Sequence, residues 1–146
     1  MMTQIDNNLW IGNVSDASNE QSLKENKITH ILCCAEEFKY PPGFLYITGN
    51  VAAKWHYLPI VDDVADSNTE AQFREGAKKI DDWIESGHSV IIHCYAGISR
   101  SVSTVIAYYM LHKGWSYDIA YLHIKSRRKQ MNPHPNFVPI LKTLSS

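Results

Sequence analysis

The sequence HSVIIHCYAGISRS, residues 88–101, decides the fold. Its first part, residues 88–94, is an apolar run, which is typical of a central strand buried on both faces. A polar turn, YAGISR, follows the run. Beyond the turn, apolar residues recur at helical spacing between Val102 and Met110, and Gly114 offers a helix stop. A strand, a tight turn and a helix in this order predict one unit of an α/β domain.

Short strands and helices are predicted to alternate along the rest of the chain. Three more strands are indicated by apolar runs: LWIG at 9–12, ITHILCC at 28–34 and WHYLPI at 55–60. Further helices are predicted around 17–26, from 69 to 87, from 116 to about 131, and from 136 to about 143. The alternation favours an α/β domain with a mostly parallel sheet.

Local signals set some of the element ends. Thr69 and Gln72 have the spacing of a capping box at a helix start. Ser116 is a candidate cap for the helix that follows Gly114. The segment 38–50, which contains two consecutive prolines and a glycine, fits neither period, so we expect a surface loop or a hairpin there.

The composition is that of an ordinary globular protein. With 146 residues, 45% of them hydrophobic and 20% charged, the chain is expected to form a single domain over 1–146. The same values exclude disordered, collagen-like and coiled-coil classes. The net charge of −1 is not the basic excess of a nucleic-acid-binding protein, so no nucleic-acid partner is expected. No feature of the sequence indicates an oligomeric state.

The N-terminus shows no targeting segment. The start, MMTQIDNNLW, has neither the basic nor the apolar region of a signal peptide. No apolar stretch approaches the roughly 20 residues that a membrane span requires. Three cysteines do not suggest a disulfide framework and favour a reducing compartment. We therefore expect a cytoplasmic or nuclear protein without a membrane anchor.

The turn after the apolar run has the features of an anion-binding loop. In an α/β sheet, ligands bind beyond the carboxyl ends of the strands, where backbone N–H groups and a helix N-terminus attract negative charge. Gly97 has no Cβ and allows the tight curl that such a loop needs. The predicted substrate-binding residues are Tyr95, Ala96, Gly97, Ile98, Ser99 and Arg100.

The side chains of three residues in and next to this loop indicate a phosphoryl-transfer reaction. Helix N-termini and nearby cations favour the thiolate form of a cysteine, so Cys94 is a candidate nucleophile. The planar fork of Arg100 can hold two phosphate oxygens at once. Ser101 can donate a hydrogen bond to the sulfur, which would make the thiolate a better leaving group. The expected reaction is transfer of a phosphoryl group to sulfur, followed by hydrolysis.

Neither a metal nor another cofactor is expected. The other histidines show neither zinc-finger nor HExxH spacing, and the predicted chemistry needs no metal. Cys33 and Cys34, at the end of a predicted strand, are interpreted as buried inert thiols. An alternative role for one of them is to protect oxidised Cys94 by forming a disulfide with it.

The loop HCYAGISRS at 93–101 closely resembles the signature loop of the cysteine-based dual-specificity protein phosphatases. The resemblance extends over most of the chain, through QIDNNLWIGN at 4–13, ITHILCCAEE at 28–37, YLPIVDD at 57–63 and AYYMLHKGWSYDIAYLHIKSRR at 107–128. It implies the phosphatase α/β fold, with a sheet of about five strands and helices on both sides. It also implies that the substrates are proteins phosphorylated on tyrosine and on serine or threonine.

The departing oxygen needs a proton, which a carboxylic acid on a mobile loop can supply. Asp62 and Asp63 both follow a predicted strand and precede Cys94 by 32 and 31 residues. Their positions leave both open, with Asp66 less favoured. The family places its acid after an apolar-Pro-apolar-x stretch, and this resemblance implies that Asp62 is the general acid and base.

Two other functions are compatible with the residues. One is a phosphatase of phosphoinositides, sugar phosphates or RNA 5′-triphosphates, although uncharged loop residues such as Tyr95 and Ile98 do not favour polyanions. The other is a phosphopeptide-binding pseudophosphatase, although such a protein would normally lack the nucleophile. The sequence also departs from a frequent family pattern, Pro-Asn-x-Gly-Phe, because 133–137 has His134 in place of that Asn and Asn136 in place of the Gly. Asn tolerates the left-handed backbone of a turn better than most residues.

Overall fold

The apolar run forms the middle strand of a five-stranded sheet. In chain order the strands are β1 (Thr3–Asp6), β2 (Leu9–Gly12), β3 (His30–Cys33), β4 (Trp55–Tyr57) and β5 (Val90–His93). Their order across the sheet is β1-β2-β5-β3-β4, and the β1–β2 pair is antiparallel while the other pairs are parallel. The structure is a computed structural model that describes residues 1–47 and 49–144. Thr48, in the predicted loop at 38–50, and the last two residues of the predicted domain lie outside the described residues.

Helices cover both faces of the sheet. One face carries α4 (Thr69–Glu85), α5 (Arg100–Lys113), α6 (Tyr117–Arg127) and α7 (Val138–Thr143). The other carries α1 (Val14–Ala17), α2 (Glu20–Glu25) and α3 (Val51–Lys54), together with a 3-10 turn at Gly43–Tyr46. None of the helices within the described ranges has the length and apolar character needed to cross a bilayer.

The side chains of β5 divide between two apolar clusters. Successive strand residues point to opposite faces. Val90 and Ile92 pack in the larger cluster under α4 to α7, whereas Ile91 packs in the smaller cluster under α1 to α3. All three are fully buried. The stretch is apolar without polar alternation because neither face of its strand meets water.

The two longest helices approach each other closely at Gly76 of α4. A Cβ on Gly76 would lie 2.5 Å from Cγ2 of Thr104, on α5, and 2.8 Å from Cδ2 of Leu58. Thr104 is fully buried, and its Oγ1 donates to the carbonyl of Arg100 at 2.9 Å. The contact therefore fixes α5, which begins at Arg100, against α4.

The predicted α/β class and the mostly parallel sheet of five strands are confirmed. The capping box is wrong, although α4 does begin at Thr69. The Oγ1 of Thr69 accepts from the N–H of Asp66 at 2.9 Å, and Nε2 of Gln72 donates to the carbonyl of Pro59 at 2.9 Å. Both side chains are engaged with the preceding segment instead of with each other's backbone.

Other element ends differ from the predictions for local reasons. The helix expected at 17–26 is two short helices, because Asn13 and Asn19 each cap a separate start. The segment 38–50 contains the 3-10 turn and no hairpin among its described residues. Helix α6 ends at Arg127, short of the expected 131, because Arg128 leaves the helical conformation and buries its side chain.

Replacement of Gly76 by Ala is expected to destabilise the fold. The added methyl group would overpack the junction of α4 and α5, which costs about 1–3 kcal/mol in well-packed cores. Chemical denaturation of Gly76→Ala measures the loss in the free energy of unfolding. Gly43→Ala is the matched control, because a Cβ on Gly43 would have no atom within 4 Å. Equal stability of the two variants would contradict the packing described here.

Candidate active site

Four parallel strands end side by side at one edge of the sheet. Gly12 and Cys33 both pair with His93, and Tyr57 pairs with Cys33. Loops that follow these strands therefore meet at the same edge. Cys94 comes directly after β5, at the middle of this edge, where ligands bind in sheets of this kind.

Gly97 is required for the path of the loop formed by residues 94–100. Its φ of 70° lies in the left-handed region. A Cβ at this position would lie 2.6 Å from the carbonyl oxygen of Gly12 and 2.6 Å from Nη2 of Arg128. Both the backbone conformation and the available space thus exclude a side chain, as the sequence predicted from the curl.

Residues distant in sequence bind the carbonyl groups of Tyr95, Gly97 and Ile98 in the loop. Arg128 is 2% exposed, and besides the loop it also binds the carbonyl of Met1 and Oγ1 of Thr3, both at 2.7 Å. Through these contacts Arg128 connects the loop to the N-terminal residues and fixes its orientation. The three bonds are Val14 N to Tyr95 O at 3.0 Å, Arg128 Nε to Gly97 O at 2.8 Å, and Asn132 N to Ile98 O at 2.8 Å.

Cys94 lies at the floor of the loop. It is 3% exposed, and its Sγ lies 3.2 Å from Oγ of Ser101 in the first turn of α5. The other two cysteines are fully buried free thiols. Burial raises the pKa of Cys33 to about 11 and raises the pKa of Cys34 well above its ordinary value. Both are therefore held as neutral thiols, in keeping with the predicted inert role.

His93 precedes Cys94 and is held neutral. Burial lowers the pKa of His93 to about 4. Its Nδ1 lies 3.0 Å from the carbonyl of Cys94, and it must donate there because the carbonyl can only accept. The imidazole thereby fixes the carbonyl of Cys94 from within the core.

The guanidinium of Arg100 has one paired edge and one open edge. Its Nη1 and Nη2 donate to the two carboxylate oxygens of Glu37 at 2.7 and 2.8 Å, and Nη1 also donates to the carbonyl of Ile60 at 3.2 Å. Its Nε is buried and has no hydrogen-bond partner among the described residues. A buried donor without an acceptor costs about 1–3 kcal/mol, so an oxyanion in the cavity would relieve this cost.

The Arg100–Glu37 pair keeps both groups ionised. Burial alone would lower the pKa of Arg100. The hydrogen bonds and charge of Glu37, together with Cys94 and Asp62, instead raise it overall. The hydrogen bonds from Arg100 lower the pKa of Glu37. Position 100 therefore carries a permanent positive charge with a fixed orientation.

The two candidate acids occupy different surroundings. Oδ1 of Asp62 lies 3.6 Å from the open Nε of Arg100. The carbonyl of Asp63 accepts from Nδ2 of Asn136 at 2.7 Å, and its Oδ1 lies 3.6 Å from Nε2 of His134. Asp66 accepts instead from the following turn and does not line the cavity. Of the three, Asp62 is the one that forms an ion pair with Arg100.

The predicted site residues meet at one cavity of about 350 Å³. Asp62, Cys94 and Arg100 line it together with Tyr95, Ala96, Ile98 and Ser99 of the loop. Gly97 and Ser101 are not part of this lining: Gly97 shapes the path of the loop, and Ser101 contacts the sulfur. No group of three or more His, Cys, Asp or Glu side chains in the described part of the chain is arranged to hold a metal ion.

Sequence reasoning missed Glu37 and did not assign contacts to His134 and Asn136. Glu37 lies 63 positions before Arg100, so no local pattern connects the two. The available signal was its place at the end of ITHILCCAEE, three residues after a predicted strand. His134 and Asn136 stood out as departures from the family pattern, and both contact Asp63.

Comparisons with known proteins match one family over most of the chain. The family model described as dual specificity phosphatase, catalytic domain, matches residues 9–145. Dual specificity protein phosphatase 1B of Arabidopsis thaliana is 34% identical over 143 residues, which cover 97% of this chain and 80% of that protein. The crystal structure of DUSP15 is 30% identical with a TM-score of 0.77, covering 97% and 85% of the two chains. Human DUSP28, at 22% identity and a TM-score of 0.81, covers 96% and 89% and shares the fold.

Glu37→Ala is expected to lower the free energy of unfolding by about 2 kcal/mol. Buried Arg100 loses the two carboxylate oxygens that accept hydrogen bonds from its Nη1 and Nη2. Orthovanadate should stabilise this variant more than the unmodified protein, since the oxyanion replaces part of the lost negative charge. Because the pKa of Glu37 is lowered, its contribution is present above about pH 4.5 and shrinks as the pH falls further.

Thermal and urea unfolding of the Glu37 variant, with and without vanadate, measure these effects. Glu36→Ala is the matched control, because Glu36 is exposed and its change is expected to stay within about 0.5 kcal/mol. Equal stability of the two variants would show that Glu37 does not support Arg100.

Proposed function

Because the chain belongs to the dual specificity phosphatase family and is a protein phosphatase, we propose that it hydrolyses phosphotyrosine and phosphoserine or phosphothreonine through a phosphate ester of Cys94. One observation carries the proposal. Cys94, Arg100 and Asp62 line the same cavity, and Oδ1 of Asp62 lies 3.6 Å from Nε of Arg100, which has no hydrogen-bond partner among the described residues. A nucleophile, an anion clamp and a proton donor are thus within reach of one phosphate group.

In the first step, the Cys94 thiolate attacks phosphorus. A sulfur–phosphorus bond forms while the bond from phosphorus to the ester oxygen of the substrate breaks. The departing oxygen takes the proton of Asp62, which becomes a carboxylate. Without this proton a serine or tyrosine side chain would leave as a strongly basic anion, and general acid catalysis of such a step contributes about 10²–10⁴-fold.

In the second step, water attacks the phosphorus of the cysteinyl phosphate. The Asp62 carboxylate takes a proton from this water, and the sulfur–phosphorus bond breaks to release inorganic phosphate. Ser101, 3.2 Å from the sulfur, donates a hydrogen bond to the departing thiolate. Cys94 and protonated Asp62 are then ready for another cycle.

Arg100 and the loop amides act on the phosphoryl oxygens in both steps. Glu37 occupies the Nη1–Nη2 edge of the guanidinium, so the Nε–Nη2 edge is left for two phosphate oxygens. Fixed donors of this kind favour the transition state, in which charge on these oxygens is held without reorganisation. Carbonyl groups bound from outside the loop support our assignment of its N–H groups to the phosphate.

The charge of the cavity supports a single phosphate on a protein side chain over a polyanion. Arg100 is the permanently charged cation among the described residues that line it, and Asp62 and Asp63 are acidic residues of the same lining. Phosphoinositides and RNA 5′-triphosphates carry further negative charge, for which these described residues offer no second permanent cation. The exposed ring of Tyr95 at the rim offers an apolar contact for a peptide instead.

Asp62→Ala is expected to lower kcat/KM about 100-fold on a phosphotyrosine or phosphothreonine peptide, because the leaving oxygen loses its proton donor in the first step. The loss in kcat/KM should be much smaller with an aryl phosphate whose phenol is strongly acidic, since such a group leaves without a proton. Steady-state kinetics on both substrate types measure the difference, with Asp118→Ala on the exposed side of α6 as the control. The same behaviour in Asp63→Ala but not in Asp62→Ala would contradict the assignment.

Cys94→Ser is expected to abolish turnover while the variant still binds a phosphopeptide, because the loop amides and Arg100 remain in place. Isothermal titration with the phosphopeptide and its unphosphorylated form measures binding. Hydrolysis by this variant at the original rate would rule out the proposed nucleophile. A preference for phosphoinositides or triphosphorylated RNA over phosphopeptides, in assays of the unmodified protein, would rule out the proposed substrate class.

A further inference from the structure

We propose that Asn136 and His134 are positioning residues that hold Asp62 over the phosphate-binding loop, and that they do so by fixing its neighbour Asp63. The proposal rests on the proposed function, because it concerns the placement of the general acid. It assigns a task in the reaction to the segment 132–136, which joins α6 to α7 and contains neither the nucleophile nor the acid.

Asp63 has a backbone conformation that needs support. Its φ of 61° lies in the left-handed region, which is unfavourable for a residue with a side chain. Left-handed geometry at Asp63 sets the direction in which the chain leaves Asp62. A change at Asp63 would therefore turn the carboxylate of Asp62 away from the 3.6 Å approach to Arg100.

The loop around Asp63 has few other restraints. Its beginning is held where the N–H of Glu36 donates to the carbonyl of Ile60, and its end where Thr69 binds Asp66. Val61 and Val64 between these points are exposed at 36% and 45%. Among the described residues, the side-chain hydrogen bond that reaches residues 61–65 comes from Asn136.

Asn136 supplies that bond from its side chain. Its Nδ2 donates to the carbonyl of Asp63 at 2.7 Å, while its backbone N–H donates to Nδ1 of His134 at 3.0 Å. An Nδ1 that accepts a hydrogen bond leaves the ring proton of a neutral imidazole on Nε2. That nitrogen lies 3.6 Å from Oδ1 of Asp63, so both residues of the segment face the same aspartate.

The other side of the segment is attached to the phosphate-binding loop. The N–H of His134 donates to Oγ of Ser99 at 2.9 Å, and the N–H of Asn132 donates to the carbonyl of Ile98 at 2.8 Å. One short segment thus binds both the loop that holds phosphate and the loop that carries the acid. The distance between Asp62 and the substrate is set through this bridge.

Asn136→Ala tests the bridge through its dependence on the leaving group. With a phosphopeptide, kcat/KM is expected to fall about tenfold, because a small misplacement of a catalytic group is costly. With the strongly acidic aryl phosphate the fall in kcat/KM should be several times smaller. In an Asp62→Ala background, Asn136→Ala should cause no further loss on the phosphopeptide, since the group it positions is absent.

Two further variants keep the test decisive. Asn136→Asp retains the shape but cannot donate to the carbonyl of Asp63, so it should give the same dependence if Asn136→Ala folds poorly in thermal melts. Asn7→Ala, in the exposed turn between β1 and β2, is the control for removing an Asn side chain. His134→Ala should give a smaller loss of the same kind, because its contact with Asp63 is longer.

The outcomes separate this proposal from the one it rests on. Equal losses on both substrates, or an additional loss in the Asp62→Ala background, would overturn the positioning role of Asn136 while leaving the acid assignment intact. If Asp62→Ala itself showed no dependence on the leaving group, the failure would lie in the proposed function.

Discussion

The candidate site depends on the buried guanidinium of Arg100, which is hydrogen-bonded to Glu37 along one of its edges. Glu37 takes one edge of Arg100, fixes its plane and maintains its charge, while Nε is left without an acceptor in the described part of the chain. Leaving a buried donor unpaired is costly, and an oxyanion removes that cost when it binds. In the proposed mechanism, affinity for phosphate is thus built into the folded state before any substrate arrives.

The fold brings loops that are distant in sequence together at one edge of the sheet. Parallel strands that end in register place the loops after β2, β3, β4 and β5 side by side. The close contact at Gly76 sets α5, and Arg128 and Asn132 bind the carbonyl groups of the phosphate loop from outside. Each contact restrains the loop at a different point, so its path is determined by the core.

What the sequence predicted and what it missed follow from distance along the chain. Cys94, Arg100 and Ser101 lie within one turn and the start of one helix, so local pattern and chemistry predicted them as site residues. Glu37 and Asn136 act across 63 and 73 positions, and neither carries a local signal for its partner. The capping box failed for a related reason, because tertiary partners occupy the side chains that the pattern assigned to each other.

Trapping the phosphate ester of Cys94 tests the proposed mechanism most directly. In Asp62→Ala with a strongly acidic aryl phosphate, the first step needs little proton donation while the second step lacks its base, so the phosphoenzyme should accumulate. Rapid acid quench followed by peptide mass spectrometry should find one phosphoryl group on the peptide that contains Cys94. A phosphoryl group on another residue, or turnover without any covalent adduct, would contradict the account.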